Sequence, residues 1–521
     1  MQAFEFNHPS LGVIRGLTSE STNQFLGLQY ATLEGKFEQP QLRAGSSVLI
    51  NATGFGPSVP SPSYGFDMES NHIQRGLQKQ DLTQSDTECL NLNITLPSNN
   101  TSSSKLPVMV FLHGGGFAIG SNFWQQYDLQ RFVELSKENQ TPLICVTVNY
   151  RLGLFGFLTS DEFVSHGKSP NNGLRDQRTA LLWIKKYVAG FGGGPDNLTV
   201  VGQSAGGVSA TIHLDSEVPL FKRLVSMGGT NLLMPPLAPQ VANSVYDQIV
   251  DRLGLSELSP SERVKSITQT PIYRLMSIVR PTDALRPVID SLGWVKRHSY
   301  AETYRGMSGM PGRSWCPEIL IGDCQMDVSH DATTFQASLT QSLKSAEAAK
   351  KVMDAYGITE NLEREEAILR ILNFGNDIGF FIPIVNYGHM WSGNAYLYHF
   401  NQPNTWSGPW KGYANHILDV TYLFQNYNDH LTPEQRKVST QFAKDIISFA
   451  NSKAPWPAFY PEDSKRHTRV YGGKGLGDSN SIETVIAPSP RAQRRGTIFD
   501  LQVSIDSDSL VLAWGMFLAG L

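Results

Sequence analysis

The residue best suited to covalent chemistry is Ser204, at the centre of a Gly-x-Ser-x-Gly motif. The motif reads Gly202-Gln203-Ser204-Ala205-Gly206 and lies between a short apolar run and a segment with helical periodicity. A serine on a tight strand-to-helix turn presents its hydroxyl above a sheet, and small flanking residues allow so sharp a turn. The dipole of the following helix would point its positive end at the site. A glycine-rich turn with a surface serine is the competing interpretation. The strand before the motif and the helix after it favour a nucleophile.

A second motif, His113-Gly114-Gly115-Gly116-Phe117, follows another apolar run. Three consecutive glycines leave backbone N–H groups unobstructed, and such donors stabilise the negative oxygen of a tetrahedral intermediate. We expect Gly115, Gly116 and Ala205 to form this oxyanion hole. His113 ends a predicted strand, and we expect a structural hydrogen bond there rather than a catalytic base. The alternative is that the three glycines form only a flexible turn. The serine motif downstream argues against this alternative.

The elements that must hold these motifs follow from the pattern of apolar residues. Val-, Ile- and Leu-rich runs without alternation predict buried parallel strands over 108–112, 143–148, 198–201, 224–227, 319–321 and 395–398. Helical spacing predicts helices over 176–191, 345–356 and 363–373. Two segments, 12–16 and 25–30, are expected to be antiparallel edge strands. Residues 235–311 are expected to be mostly helical, and 510–521 to form a terminal helix. Strands alternating with helices indicate an α/β fold.

Composition limits the classes of partner and cofactor. The chain has 521 residues, 40% of them hydrophobic, and carries no long low-complexity linker, which favours one domain over 1–521. The net charge of −4 gives no electrostatic reason to expect nucleic acid, and the cluster Arg491, Arg494 and Arg495 is interpreted as a solvated loop. No cysteine–histidine cluster has metal-ligand spacing, so no metal and no cofactor are expected.

The chain's ends and cysteines bear on location. The N-terminus lacks a basic region followed by an apolar run, and no stretch approaches the roughly 20 apolar residues of a membrane span. Four cysteines are too few for a disulfide scaffold. These features predict a cytoplasmic protein without a membrane span, unless a leader has been removed.

Further segments make the chain resemble the type-B carboxylesterase/lipase family, which includes the cholinesterases. Besides the two glycine motifs, the resemblance rests on FLGLQYA (25–31), ECLNLNI (88–94), VNYRLG (148–153), NGLRDQ (172–177) and FGGGPDN (191–197). It covers most of the chain. It implies a single-domain α/β-hydrolase fold: a large, mostly parallel sheet flanked by helices, with helical insertions forming an active-site gorge. It also implies a triad of serine, acid and histidine in that order.

A serine hydroxyl needs a histidine that accepts its proton and an acid that orients the histidine. The chain has twelve histidines, so spacing alone cannot choose between them. The resemblance identifies His416, because the segment GYANHILD (412–419) is similar to the family's histidine loop. His113, His399 and His430 are weaker alternatives.

The resemblance identifies the acid as Asp327, which aligns with the family's glutamate; Val328 replaces the glycine that usually follows it. An aspartate is one carbon shorter, so its loop must come closer to the histidine. Asp323 and Asp331 remain alternatives for this role.

Two further departures from the family pattern carry information. Gln203 replaces a frequent glutamate, which removes a negative charge beside the site and is expected to matter little to the triad. Cys89 matches a family half-cystine, but Val59 stands where its partner would be, as fits an intracellular protein. In the family that disulfide spans the loop over the gorge. Residues 59–88 are therefore interpreted as a less tethered lid, with a surface loop packed against the body as the alternative.

The resemblance implies a serine carboxylic-ester hydrolase that acts on a small-molecule or lipid ester through an acyl-enzyme. Phe117 and Trp124 are candidate linings of its substrate pocket. Two alternatives stay open: acyl transfer or other natural-product chemistry with the same triad, and a silent interaction module such as the family's adhesion proteins. The sequence leaves open the acyl and alcohol specificity and the oligomeric state.

Overall fold

The largest element of the computed structural model is a 13-stranded sheet. The structure describes residues 1–45, 49–81, 83–290, 293–306, 309–327, 335–359, 361–462, 466–473, 481–486 and 496–518. The strands are β1 (Gln2–His8), β2 (Gly12–Thr18), β3 (Thr22–Gln29), β4 (Ala31–Thr32), β5 (Gln41–Leu42), β6 (Ile50–Asn51), β7 (Asn91–Pro97), β8 (Leu106–Leu112), β9 (Ile144–Val148), β10 (Gly193–Gln203), β11 (Arg223–Met227), β12 (Glu318–Cys324), β13 (Asn394–Phe400), β14 (His467–Tyr471) and β15 (Ile482–Ile486).

The strand order is β1-β2-β3-β7-β9-β8-β10-β11-β12-β13-β14-β15, with β6 paired to β2; β4 and β5 form a separate two-stranded sheet. From β9 to β14 all neighbours are parallel. The six predicted buried strands are confirmed as β8 to β13. The predicted antiparallel edge is also confirmed in β2 and β3, which pair with each other. The sequence prediction missed β1, which pairs with β2 at the outer edge.

The helices are α1 (Gly65–Ile73), α2 (Gln130–Glu138), α3 (Gly153–Phe157), α4 (Asp161–Ser165), α5 (Asn172–Tyr187), α6 (Ala205–Ile212), α7 (Pro239–Leu253), α8 (Pro260–Gln269), α9 (Ile272–Ile278), α10 (Tyr300–Tyr304), α11 (Gly312–Trp315), α12 (Phe335–Leu343), α13 (Ala346–Ala355), α14 (Arg364–Asn376), α15 (Ile382–Met390), α16 (Leu418–Leu423), α17 (Pro433–Ala450), α18 (Thr497–Gln502) and α19 (Ser507–Leu518). The three predicted helices correspond to α5, α13 and α14. The helical region around 235–311 contains α7 to α10, and α11 begins just after it. The predicted terminal helix is α19, whose last predicted residues, 519–521, lie outside the described part.

Local sequence explains where several helices begin and end. Proline occupies the first position of α7, α8 and α17, where its missing N–H costs no hydrogen bond. Ser259 with Glu262 and Thr432 with Gln435 form capping boxes at the starts of α8 and α17. Gly254 ends α7 with a positive φ of 73°.

The sheet separates two apolar cores. Along β8, Val108, Val110 and Leu112 belong to one cluster of buried side chains, and the alternating residues Met109 and Phe111 belong to the other. Successive side chains of a strand point to opposite faces, so the two clusters cover the two faces of the sheet. A strand covered on both faces has no polar side, which is why the central runs lack alternation.

One helix of the described residues, Arg364–Met390, is long and apolar enough by composition to cross a membrane. It comprises α14, a π-helical turn (Asp377–Phe381) and α15. In its most apolar window 61% of the residues are buried inside the protein, as in the core helix of a globular fold.

A buried ion pair joins two segments that carried the family resemblance. Arg151, after β9, donates from Nε and Nη2 to the two carboxylate oxygens of Asp176 on α5, at 2.8 and 2.7 Å. The two side chains are only 1% and 0% exposed. Nη1 of Arg151 donates to the backbone oxygens of Lys36 and Glu38, so the guanidinium fixes the chain before β5 as well. A buried charge needs such complete pairing, because its desolvation is expensive.

Replacing Asp176 with asparagine leaves the Arg151 cation buried without a counter-charge. We expect D176N to lose about 3–5 kcal/mol of unfolding free energy, measured by urea denaturation at pH 7. The matched control is D429N, which breaks the surface pair of Arg131 with the exposed Asp429 and should lower the unfolding free energy far less. Equal losses in the two variants would contradict this interpretation of the buried pair.

Candidate active site

Ser204 occupies the turn between β10 and α6 with a strained backbone, at φ 53° and ψ −122°. Its N–H donates to the backbone oxygen of Met227 on the neighbouring strand, at 2.8 Å. A Cβ added at Gly202 would collide with the backbone of Gly206, and one added at Gly206 would collide with the Leu112 backbone oxygen. Both glycines of the motif are therefore required by space, and the turn has the geometry of a nucleophile elbow.

The glycine loop after β8 lies directly against this turn. A Cβ added at Gly114 would approach the Ser204 Cβ to 2.9 Å. Gly115 and Gly116 have positive φ angles of 96° and 62°, and the space beside Gly116 is open to 4 Å. Ala205 is the first residue of α6. The three residues predicted to bind the oxyanion thus belong to two adjacent loops, one of them at a helix N-terminus.

The structure brings His416 and Asp327 together. His416 Nδ1 lies 2.7 Å from Asp327 Oδ1, and the Asp327 side chain is fully buried. The second carboxylate oxygen accepts a hydrogen bond from the Cys324 N–H at 2.8 Å, and the Asp327 N–H donates to the Asn376 side chain. A carboxylate held in this way keeps a proton on Nδ1 and leaves Nε2 of the neutral ring as the acceptor.

The short aspartate reaches the histidine because the two loops are joined through their backbones. The Met326 N–H donates to the Ala414 oxygen at 2.9 Å, and the His416 N–H donates to the Met326 oxygen at 3.0 Å. This two-bond ladder draws the loop after β12 against the loop after β13. It supplies the closer approach that an aspartate in place of a glutamate requires.

The alternative acids and bases are engaged elsewhere or lie outside the described residues. Asp323 is bonded to His399, its partner across β12 and β13, at 2.6 Å. His430 contacts Arg75 at the surface. His113 bonds the Gly114 oxygen through Nδ1 and stacks on Tyr150 at 4.6 Å, as expected for a structural histidine. Asp331 and Val328 lie outside the described residues, as does the cluster of Arg491, Arg494 and Arg495.

Gln203 contacts the histidine more closely than its sequence position suggested. Its amide nitrogen lies 3.2 Å from His416 Nε2, the ring nitrogen that would accept the serine proton. In the part of the chain that the structure describes, the Ser204 hydroxyl makes no hydrogen bond to His416. Catalytic hydrogen bonds of unliganded enzymes often tighten only when substrate binds. The feature of the sequence that could have identified Gln203 as a site residue is its position directly before Ser204.

Burial dominates the electrostatics of the site. It lowers the pKa of His416 to about 4, against the opposing charge of Asp419. Burial raises the pKa of Asp419 to about 6, helped by the neighbouring charge of Asp327. His72 lies beside His416 with ring centroids 6.0 Å apart, and burial lowers the pKa of His72 to about 4. Within the described ranges, no group of three or more His, Cys, Asp or Glu residues could hold a metal ion.

The segment 59–88 is docked on the histidine loop and contains a helix that sequence reasoning missed, α1. The Asn415 side chain donates to the His72 backbone oxygen at 2.8 Å, and the Asn404 side chain donates to the Ile73 oxygen at 3.0 Å. Cys89 is a buried free thiol, and Val59 is only 1% exposed. In place of the family disulfide at the ends of this segment, polar contacts at His72 and Ile73 attach its middle to the histidine loop. Whether the segment moves as a lid stays a prediction.

The aromatic residues predicted to line a pocket make core contacts. Phe117 is fully buried and packs on Phe157, at 5.0 Å between ring centroids. Trp124 packs on Phe66 of α1 at 5.6 Å. Their lining of a substrate pocket stays a prediction. Phe380, in the π-helical turn, lies beside His416, with 5.8 Å between the ring centroids. Sequence reasoning missed Phe380, because only the tertiary fold brings that helix to the site.

Comparison with known proteins gives a consistent assignment. Residues 6–471 match the model of the carboxylesterase family. The para-nitrobenzyl esterase of Bacillus subtilis (strain 168) is 28% identical over 521 aligned residues, which cover 94% of this chain and 97% of that protein. The inactive carboxylesterase-like protein VdtD of Byssochlamys spectabilis is 33% identical over 219 residues, 41% of this chain and 36% of that protein. A solved structure of a PNB esterase has a TM-score of 0.73 at 25% sequence identity, covering 95% of this chain and 99% of that chain.

A buried carboxyl on α1 makes the docking of this helix sensitive to pH. Glu69 is 6% exposed and accepts hydrogen bonds from the Gln126 amide (2.8 Å) and the Tyr127 hydroxyl (2.6 Å). Burial raises the pKa of Glu69 to about 7. The folded protein therefore keeps this proton up to about pH 7, whereas the unfolded chain releases it near its ordinary pKa of about 4.3. Stability consequently falls as the pH rises between these two values.

Replacing Glu69 with glutamine keeps both acceptor contacts and removes the ionisation. We expect E69Q to be more stable than the wild type by about 3 kcal/mol at pH 8 and by much less near pH 5, measured by urea denaturation at both pH values. D67N is the matched control on the same helix, since Asp67 is exposed and paired with Lys79. A gain that is the same at both pH values would refute the assignment of a raised pKa to Glu69.

Proposed function

The chain belongs to the carboxylesterase family and is a carboxylic ester hydrolase, and from this premise we propose that it acts through a covalent acyl-enzyme on Ser204. The observation that carries the proposal is the 2.7 Å hydrogen bond between Asp327 and His416. It lies beside a serine whose backbone is held in a strained turn. A nucleophile, a base and an orienting acid are the three parts that ester cleavage by serine requires.

The proposed reaction has two matched halves. Ser204 Oγ attacks the ester carbonyl carbon while its proton passes to His416 Nε2, and the carbonyl oxygen becomes negative. Backbone N–H groups of Gly115, Gly116 and Ala205 bind this oxygen. When the tetrahedral intermediate collapses, the C–O bond to the alcohol breaks and the alcohol leaves with the proton from His416. Water then attacks the acyl-serine by the same proton route, which releases the acid and restores the serine.

The substrate is proposed to be a small-molecule or lipid ester. Support comes from the open space beside Gly116, where a carbonyl oxygen could approach the backbone N–H groups, and separately from the Phe380 ring, an apolar neighbour of His416. Acyl transfer to an alcohol remains an outcome of the assay: added alcohol would then yield a new ester in place of the acid.

The enzyme is further proposed to work in a reducing compartment. Support comes from Cys89, which is a buried free thiol, and from Val59, which stands in the sequence where the family has the partner half-cystine. Fractionation of cells that express the tagged full chain would test this location.

Removing the nucleophile should abolish turnover. We expect the wild type to hydrolyse p-nitrophenyl esters in a series from acetate to palmitate, and S204A to lose at least about 1,000-fold in kcat/KM. S277A, which changes an exposed serine on α9, is the control and should match the wild type. Diethyl p-nitrophenyl phosphate should label the Ser204 peptide of the wild type. Ester turnover that survives in S204A would exclude Ser204 as the nucleophile, and a chain inert in every assay would indicate a silent family member.

Replacing Asp327 with asparagine should show whether Asp327 or its neighbour Asp323 is the acid that orients His416. D327N keeps the shape of the side chain but favours the wrong tautomer of His416, so we expect kcat to fall by about 1,000- to 10,000-fold. D323N, whose carboxylate serves His399, should retain kcat within about ten-fold. Near-normal turnover in D327N would move the role to another acid, and D331N would then be the variant to measure.

A further inference from the structure

The Gln203 side chain lies between the two halves of the proposed active site. It is 1% exposed and belongs to the last residue of β10, immediately before Ser204. On one side its amide nitrogen contacts His416 Nε2 at 3.2 Å. On the other side its oxygen lies against Gly114, in tight contact with the position a Cβ would occupy there. The glycine loop and the histidine loop thus enclose this amide.

The contact of Asp327 with Nδ1 determines the direction of the hydrogen bond between Gln203 and Nε2 of the same ring. Asp327 accepts at Nδ1, so a neutral His416 carries its proton there and presents a lone pair at Nε2. An amide nitrogen can only donate, and Gln203 therefore donates to Nε2. This contact is possible only while the imidazole is neutral, because a protonated ring has no acceptor at Nε2.

The side-chain oxygen of Gln203, at the other end of the amide, is a buried hydrogen-bond acceptor. Among the described residues, the Gln203 oxygen has no hydrogen-bond partner although it is fully buried. Rotating the amide by half a turn would exchange oxygen and nitrogen, which differ little in size. The oxygen would then accept from a protonated Nε2. One side chain can therefore serve both protonation states of His416, whereas a carboxylate could serve only the protonated one.

We propose that Gln203 is a positioning residue for ester hydrolysis: it donates to Nε2 of the neutral His416 ring in the unliganded enzyme, which holds the ring in place, and it gives up this hydrogen bond when the Ser204 hydroxyl donates to Nε2 in its turn. The inference rests on the proposed function and adds to it a determinant of the working pH. The replacement of a family glutamate then has a consequence: an acid at position 203 would raise the pKa of His416, so the ring would become free to act as a base only at higher pH.

Every charged or titratable group facing His416 must be considered for this effect. Asp327 faces the ring from the loop after β12, Asp419 from α16 and His72 from α1, and Phe380 covers it from the π-helical turn. These neighbours are unchanged by a substitution at position 203. A new carboxylate there would lie about as near to Nε2 as the present amide, and an opposite charge so close raises a histidine pKa by about one unit or more.

The test compares the pH dependence of kcat/KM for p-nitrophenyl butyrate in the wild type, Q203E and Q203M. In Q203E we expect the acid limb of the profile to move to higher pH by at least about one unit, which is a ten-fold change in the proton affinity of the base. Q203M is the matched control, since methionine has a similar length, no charge and no amide. The acid limb of Q203M should move by less than half of the shift seen in Q203E. A merely structural role would lower the rate of both variants at all pH values without moving the limb.

A second measurement follows the protonation of the His416 ring itself and does not need turnover. In protein labelled with ¹⁵N-histidine, the His416 signal is assigned by its loss in H416N and titrated in the wild type and Q203E. The proposal requires His416 to titrate at a higher pH in Q203E. If the ring titrates higher while the wild type cleaves no ester, the proposed function and the role of Gln203 in hydrolysis both fail, and the effect of position 203 on the protonation of His416 stands apart from catalysis. If the acid limb and the ring titration of Q203E both coincide with the wild type within about 0.3 pH unit, the inference is overturned whatever the activity.

Discussion

The site depends on one short backbone ladder, the two hydrogen bonds that join Met326 to Ala414 and His416. Among the described residues, this ladder draws the loop of Asp327 against the histidine loop, and the short carboxylate side chain lies 2.7 Å from the imidazole. The carboxylate then determines which ring nitrogen carries the proton, and so which nitrogen faces the turn of Ser204. The remaining features of the site serve this alignment: α1 is bonded to the histidine loop, and Gln203 contacts the free nitrogen.

The sheet supplies the common edge at which these loops meet. The glycine loop follows β8, the serine follows β10, the acid follows β12 and the histidine loop follows β13. These strands are parallel members of one sheet, so their carboxyl ends lie along the same edge. The buried strands and the two cores that cover them hold four loops, distant in sequence, in a fixed arrangement. A preorganised site of this kind stabilises a transition state without rearranging when charge develops.

Much of the fold was readable from the sequence, because it depends on local patterns. The six central strands are continuous apolar runs, and the serine turn has glycines where no side chain fits. Helix α1 was missed because its apolar face is short and lies in a long polar segment. The choice between Asp327 and Asp323 could not be made from spacing, since both follow the same apolar run and only the sheet register pairs Asp323 with His399. The contacts of Gln203, His72 and Phe380 with His416 join residues far apart in the chain, and no local pattern encodes them.

Ester cleavage through Ser204 requires an acyl group on this serine, and that species can be trapped during turnover. Wild-type enzyme mixed with p-nitrophenyl butyrate is quenched with acid within milliseconds, digested and analysed by mass spectrometry. If Ser204 carries the acyl group, a butyryl group appears on the peptide that contains Ser204, at least as fast as steady-state turnover. Turnover with no acyl group on that peptide, or with the group on another residue, would contradict it.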